Sequence, residues 1–290
     1  MMVLRSLCAL TVMLALSACG GVAARHDVRS NLVEKAGWQS GLLKAGKFDI
    51  AASWSPVQRG ENLFVYLEGD GLAYVNAYRP AKDPTPDDPV ALRMAINDIH
   101  ATGASAQPVL YLARPCQYTL PDDGANCNRK YWTIGRYAPE ITDSISNAID
   151  QIKQRVGARH IVLVGYSGGG ALAVLLAGQR ADIAGIITVV GNLDLAYWTK
   201  RDGLTPLSAS TDPVTMAHDL GDTPQLHLAG GQDDAVGPDV TRAYMQALPA
   251  SSPANMLVFD HYDHQCCWAQ DWQKISQWPE FSRIPYWHGK

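Results

Sequence analysis

Residues 165–170 read Gly-Tyr-Ser-Gly-Gly-Gly, between the apolar run His160-Ile-Val-Leu-Val164 and the helix-like stretch Ala171-Leu-Ala-Val-Leu-Leu-Ala177. A serine in a G-x-S-x-G turn between a buried strand and a helix restricts the fold more than any other feature of the chain. The serine must sit on a tight, strained turn, where a Cβ at 165 or 169 would collide with the neighbouring strand or helix. Ser167 is therefore a candidate nucleophile. A glycine-rich loop that only turns the chain would show the same letters, and the flanking strand and helix patterns argue against it.

The rest of the chain alternates in the same way. Apolar β-rich runs occur at Leu63–Leu67, Val109–Ala113, Ile161–Val164, Ile183–Val190, Leu226–Ala229 and Met256–Phe259, with Phe48–Trp54 as a weaker edge strand. Helical spacing predicts helices over Pro89–Ala101, Ala138–Val156, Ala171–Gln179 and Pro238–Leu248. This alternation predicts an α/β fold, a mostly parallel central sheet with helices on both faces and chemistry at the carboxyl ends of its strands. A hydrophobic content of 47% is enough for one large core, so residues 47–290 are expected to form a single domain, with the Pro/Asp-rich run Pro80–Pro89 as a surface loop.

Arg5 precedes an apolar segment, Leu7–Leu16, too short to span a bilayer. Residues 1–18 are read as a secretory signal peptide. Leu16-Ser17-Ala18-Cys19 resembles a bacterial lipobox, which implies lipidation of Cys19 and makes residues 19–46 a lipid-anchored tether leading into the domain. Gly20 follows, with no Asp to signal inner-membrane retention, so a periplasm-facing lipoprotein of the outer membrane is expected. An ordinary cleaved signal with a coincidental cysteine is the alternative. Removal of residues 1–18 leaves 23 basic against 28 acidic residues, net charge −5, and with no basic run or patch no nucleic-acid partner is expected. Cys8 lies in the removed segment. In an oxidising compartment Cys116, Cys127, Cys266 and Cys267 can pair, Cys116 with Cys127 across a turn-rich loop and Cys266 with its neighbour, although three connectivities remain open. No C-x-x-C or H-E-x-x-H spacing suggests a metal site.

With these strands and the Ser167 turn assembled, the region Leu63–Trp268 resembles the α/β-hydrolase superfamily. The resemblance implies the chain order nucleophile, acid, histidine. Gly230-Gly-Gln-Asp-Asp-Ala-Val-Gly-Pro238 is similar to the family's acid loop with one residue inserted before the proline, which places the acid at Asp233, with Asp234 as the alternative; the pair also suits a solvated turn and helix cap. In Asp260-His-Tyr-Asp-His264, after the last strand, His264 is favoured as the triad histidine and His261 is the alternative. The other histidines are read as structural. The resemblance implies oxyanion-hole N–H groups from Gly168 and from the loop after Leu63–Leu67, where Gly69 and Asp70 are candidates. That loop reads Glu68-Gly-Asp-Gly71 where many relatives have His-Gly, and its acidic side chains can brace the loop, bind a cation or point away.

The implied activity is hydrolysis of a carboxylic ester, or a related small acyl compound, through an acyl-enzyme on Ser167 with no cofactor or metal. The alternatives are an acyltransferase, an amidase or peptidase with the same triad, or a non-catalytic envelope-binding lipoprotein. Leu195–Pro224 is too short for a large lid, so an open site is expected, with the Arg114–Thr119 loop and Tyr131-Trp132 as candidate pocket walls. Nothing in the sequence assigns an oligomeric state.

Overall fold

The computed structural model describes residues 21–76, 78–103, 105–119 and 126–288. Alternate side chains of the inner strands enter two different cores. In β3 (Asn62–Leu67), Leu63, Val65 and Leu67 join one cluster while Phe64 and Tyr66 join the other. The same period of two divides β6 (Val109–Leu112) and β7 (His160–Tyr166), as expected of strands buried on both faces.

These strands belong to an eight-stranded sheet completed by β1 (Gln39–Ala45), β2 (Phe48–Trp54), β8 (Ile183–Val189), β9 (Gln225–Gly230) and β10 (Ala254–Phe259), in the order β1-β2-β6-β3-β7-β8-β9-β10. Only β2 runs against the rest. A hairpin, β4 (Tyr74–Asn76) with β5 (Arg79–Pro80), stands apart from it. One face of the sheet is covered by α3 (Pro139–Val156), α4 (Gly168–Ala177) and Tyr244 of α6 (Gly237–Ala247). The other is covered by Val33 of helix α1 (residues 21–35), by α2 (Val90–Ile96) and by α7 (Trp268–Ile275), whose Trp268 and Trp272 are fully buried. A seventh helix, α5 (Leu195–Arg201), follows β8.

Three expectations need correction. Phe48–Trp54 is an inner strand, and β1 occupies the edge. Residues 19–46, expected as a tether and entry segment, contribute α1 and a sheet strand from position 21 onward, whereas Cys19 and the signal segment lie outside the described residues. In β1 only Leu43 and Ala45 are buried, so an edge strand with this half-exposed pattern carries no clear period-two signal. Finally, the helix expected over Pro89–Ala101 stops at Ile96. Asp98 turns inward, where its carboxylate accepts the Tyr66 hydroxyl and, at 2.6 Å, the His100 N–H, and these bonds compete with helical pairing.

Candidate active site

β7 ends at Tyr166 and α4 begins at Gly168, so Ser167 occupies the single-residue junction with φ 51° and ψ −119°, a region that side-chain-bearing residues rarely adopt. Packing enforces the turn. A Cβ on Gly165 would strike the Gly169 carbonyl, and one on Gly169 would strike that of Leu67. The Ser167 N–H donates to the Val189 carbonyl at 2.9 Å, and its carbonyl accepts the N–H groups of Gly170 at 2.9 Å and Asn192 at 3.3 Å.

The loop after β10 brings His264 to this serine. Its Nε2 lies 2.9 Å from Ser167 Oγ, and its Nδ1 lies 2.9 Å from Asp233 Oδ2. Asp233 is almost completely enclosed, and its other oxygen accepts the N–H groups of Ala235 at 2.9 Å and Val236 at 3.0 Å. Burial raises the Asp233 pKa, but the bond to His264 and the two backbone donors outweigh it and hold the carboxyl below its ordinary range. An ionised Asp233 places the ring proton on Nδ1 and leaves Nε2 as the acceptor for the serine hydroxyl. Asp234 and His261 are exposed and take no part in this chain.

Neighbours fix the loops that carry the acid and the histidine. Trp198 Nε1 donates to the Ala235 carbonyl at 2.8 Å and Arg201 Nη1 to that of Val236 at 2.6 Å, so α5 clamps the acid loop from outside. The Tyr166 hydroxyl donates to the His264 carbonyl at 2.8 Å. Trp268 Nε1 donates to the Asp263 carbonyl at 3.0 Å. Cys116 pairs with Cys127 and Cys266 with Cys267, which gives the described cysteines their connectivity.

Opposite the histidine, β3 delivers Glu68-Gly-Asp-Gly71. The buried Glu68 carboxylate accepts the N–H groups of Gly69 at 3.0 Å and Ala91 at 3.3 Å and the Tyr111 hydroxyl at 3.1 Å. The Gly69 N–H is therefore already engaged. Those of Asp70 and Gly168 have no acceptor among the described residues, so two of the three expected oxyanion donors are free. The Asp70 carboxylate meets Arg114 Nη1 at 2.7 Å and Arg136 Nη1 at 2.6 Å. Both acidic side chains of this loop are thus bound to its surroundings.

Burial pushes the Glu68 pKa from 4.5 to about 7, against the hydrogen bonds from Gly69, Ala91 and Tyr111. The folded chain then holds this proton more tightly than the unfolded chain, so Glu68 makes stability fall as pH rises between those values. The full effect is worth roughly 3 kcal/mol. Urea melts of wild type and Glu68→Gln at about pH 5 and pH 8 are expected to show the variant gaining relative stability by up to that amount at the higher pH. A pH-independent difference would contradict this reading.

The open cleft beside Ser167 has a volume of about 370 Å³ and apolar walls from Leu72, Pro86, Val90 and Tyr166. Asp87 and Asp88 stand at its rim, paired with Arg25 and Arg93. No residue of 195–224 lines it, and among the described residues no lid covers it. The pocket walls expected from Arg114–Thr119 and Tyr131-Trp132 are elsewhere. Tyr131 and Trp132 are buried in the α3 face or against Ala81, while Gln117 holds the Glu68–Gly71 loop from behind through a 3.1 Å bond to the Gly69 carbonyl. Among the described residues no group of three or more His, Cys, Asp or Glu side chains is arranged to hold a metal.

Tyr166, Arg114, Arg136, Trp198 and Arg201 are not evident from the sequence as supports of the site. Tyr166 carried a signal, because it sits inside the G-x-S-x-G pattern. The others meet their partners across long sequence separations.

No protein-family model matches the chain, and no curated protein sequence matches it. Solved structures do resemble it. Est1E from Butyrivibrio proteoclasticus with ferulic acid bound superposes with a TM-score of 0.58 at 10% identity, over 81% of this chain and 97% of Est1E. An esterase from Pyrococcus furiosus gives 0.55 at 10% identity, over 85% and 90%. The acylaminoacyl peptidase of Pyrococcus horikoshii gives 0.60 at 12% identity over 84% of this chain, which matches only 40% of that longer protein. Together with the sheet order and the Ser167 turn, these likenesses define the class: the chain has the α/β-hydrolase fold.

Proposed function

We propose that the protein is a serine hydrolase that cleaves a carboxylic ester through an acyl-enzyme on Ser167. The observation that carries this reading is the continuous chain Ser167–His264–Asp233, ending beside a cleft lined by Ser167 and Asp70, with the N–H groups of Asp70 and of Gly168, the residue after Ser167, free of acceptors among the described residues. In the proposed reaction His264 Nε2 takes the Ser167 proton as Oγ attacks the carbonyl carbon. Asp233 stabilises the resulting imidazolium, and the two N–H groups hold the oxyanion. His264 then protonates the leaving alcohol. In the second half it takes a proton from the water that attacks the acyl carbon and returns it to Ser167 Oγ as the tetrahedral adduct collapses to the acid and free Ser167.

The esterases and the peptidase named above support acyl chemistry on this fold, and the open cleft favours water over another acceptor. Stopped-flow mixing with an aryl ester is expected to show a burst of the phenol close to one equivalent, followed by slower steady turnover. Added alcohol or amine acceptors are expected to leave acid as the main product. Acyl transfer as the main outcome would point instead to the acyltransferase reading, and preferred cleavage of amides to an amidase or peptidase.

The proposal includes a lipid anchor on Cys19, facing the periplasm. Arg25 of α1 donates to the Thr85 carbonyl at 2.9 Å and pairs with Asp87 at the cleft rim at 3.0 Å. α1 thereby links the N-terminal end of the described residues to the cleft rim. No helix among the described residues is long and apolar enough to cross a membrane. Cys19→Ser is expected to move the protein from the membrane to the soluble fraction and to abolish the mass increase of acylation. Membrane retention without that modification would reject the anchor.

A further inference from the structure

The oxyanion loop rests on a buried ion cluster that the proposed reaction does not itself use. The Asp70 carboxylate accepts Arg114 at 2.7 Å, Arg136 at 2.6 Å and the Tyr137 hydroxyl at 3.0 Å and 3.1 Å to its two oxygens. Both arginines are almost fully buried and are fixed in turn, Arg114 on the Arg136 carbonyl and Arg136 on that of Thr133 at 2.9 Å. Arg114 also stacks its guanidinium 5.1 Å from the centre of the Tyr137 ring. The same carboxylate lies against the backbone of the neighbouring donor. A Cβ on Gly168 would overlap Asp70 Oδ1 and approach the Tyr137 hydroxyl to 2.8 Å.

We infer that Asp70 is a positioning residue whose carboxylate, gripped by Arg114, Arg136 and Tyr137, sets the separation and direction of the Asp70 and Gly168 N–H groups. The inference rests on the serine-hydrolase reading. Two guanidinium groups around one carboxylate also leave a net positive charge behind the oxyanion site. Its attraction grows as negative charge develops on the substrate carbonyl, so it acts on the transition state more than on the bound ester. The cluster spans three regions of the chain: the loop after β3, the turn after β6 that leads into the Cys116–Cys127 disulfide, and the segment before α3. The fold thereby assigns this buried charge to one backbone geometry.

The test uses the full-length protein and a soluble aryl ester, with Asp70→Asn and the milder Tyr137→Phe. Asp70→Asn keeps the shape of the side chain but loses its charge, and is expected to lower kcat by about 10²-fold with KM changed less than about threefold. Tyr137→Phe removes one hydroxyl donor and leaves both ion pairs, and is expected to lower kcat by about tenfold. The affinity of a boronic acid that forms a tetrahedral adduct on Ser167 is expected to fall in step with kcat/KM, while that of the product acid stays constant. Unchanged kcat in folded Asp70→Asn would overturn the inference. If that variant does not fold, an unchanged kcat and boronate affinity in Tyr137→Phe would do the same. A wild-type protein with no turnover that depends on Ser167 would instead refute the parent reading.

Discussion

Ser167→Ala is expected to lower kcat/KM toward a short aryl ester by about 10⁴-fold or more while leaving the fold and its melting midpoint nearly unchanged. Removing Oγ deletes the atom that, in the proposed reaction, His264 activates to form the acyl bond. The residual rate would come from the Asp70 and Gly168 N–H groups and from binding in the cleft, which still orient a water-attacked ester. Stability should hold because alanine keeps the backbone bonds that fix the turn, those to Val189, Gly170 and Asn192. The φ of 51° remains costly with either side chain. Steady-state kinetics and a denaturant melt on the same preparation check both halves of the expectation.

Asp233→Asn is expected to cost about 10³- to 10⁴-fold in kcat. An amide at this position can donate to His264 Nδ1, which moves the ring proton to Nε2 and removes the acceptor for the serine hydroxyl. The amide oxygen still accepts the Ala235 and Val236 N–H groups that Asp233 now holds at 2.9 Å and 3.0 Å, so the acid loop should stay in place. Asp234→Asn is the internal control, expected to stay within about twofold because that side chain is exposed. The low native pKa of Asp233 adds a stability effect. The carboxylate stabilises the fold at neutral pH, and that contribution is lost as pH falls through the carboxylate range, a dependence Asp233→Asn should weaken.

What could be read in advance depended on how local the physics is. Ile161–Val164 and Leu63–Leu67 are buried on both faces, so their continuous apolar runs announce inner strands, and Gly165 answers a backbone collision with Gly169 only four residues on. The β1 strand was illegible because its exposed half looks like loop and its pairing with β2 is the main reason it is extended. The early end of α2 was hidden for a similar reason, since Asp98 finds Tyr66 on another element. At the site, chain order and loop resemblance pointed to Asp233 and His264, the two side chains that stand in a hydrogen-bonded chain with Ser167. The Asp70 cluster had no such pointer, because Arg114 and Arg136 lie 44 and 66 residues away and nothing near Asp70 in sequence indicates a partner. The engagement of the Gly69 N–H by Glu68 likewise became visible only with the side chain placed.

A serine hydrolase of the proposed kind requires Ser167 to be an activated nucleophile in a formed triad. Intact-mass measurement after exposure of the purified protein to a fluorophosphonate tests this most directly, with Ser167→Ala, Asp233→Asn and His264→Ala in parallel. A single adduct is expected on the wild type, mapped to Ser167, absent from Ser167→Ala and formed more slowly on the other two. A folded, oxidised wild-type protein that takes up no adduct would contradict the hydrolase reading and point to a non-catalytic binding module on this fold.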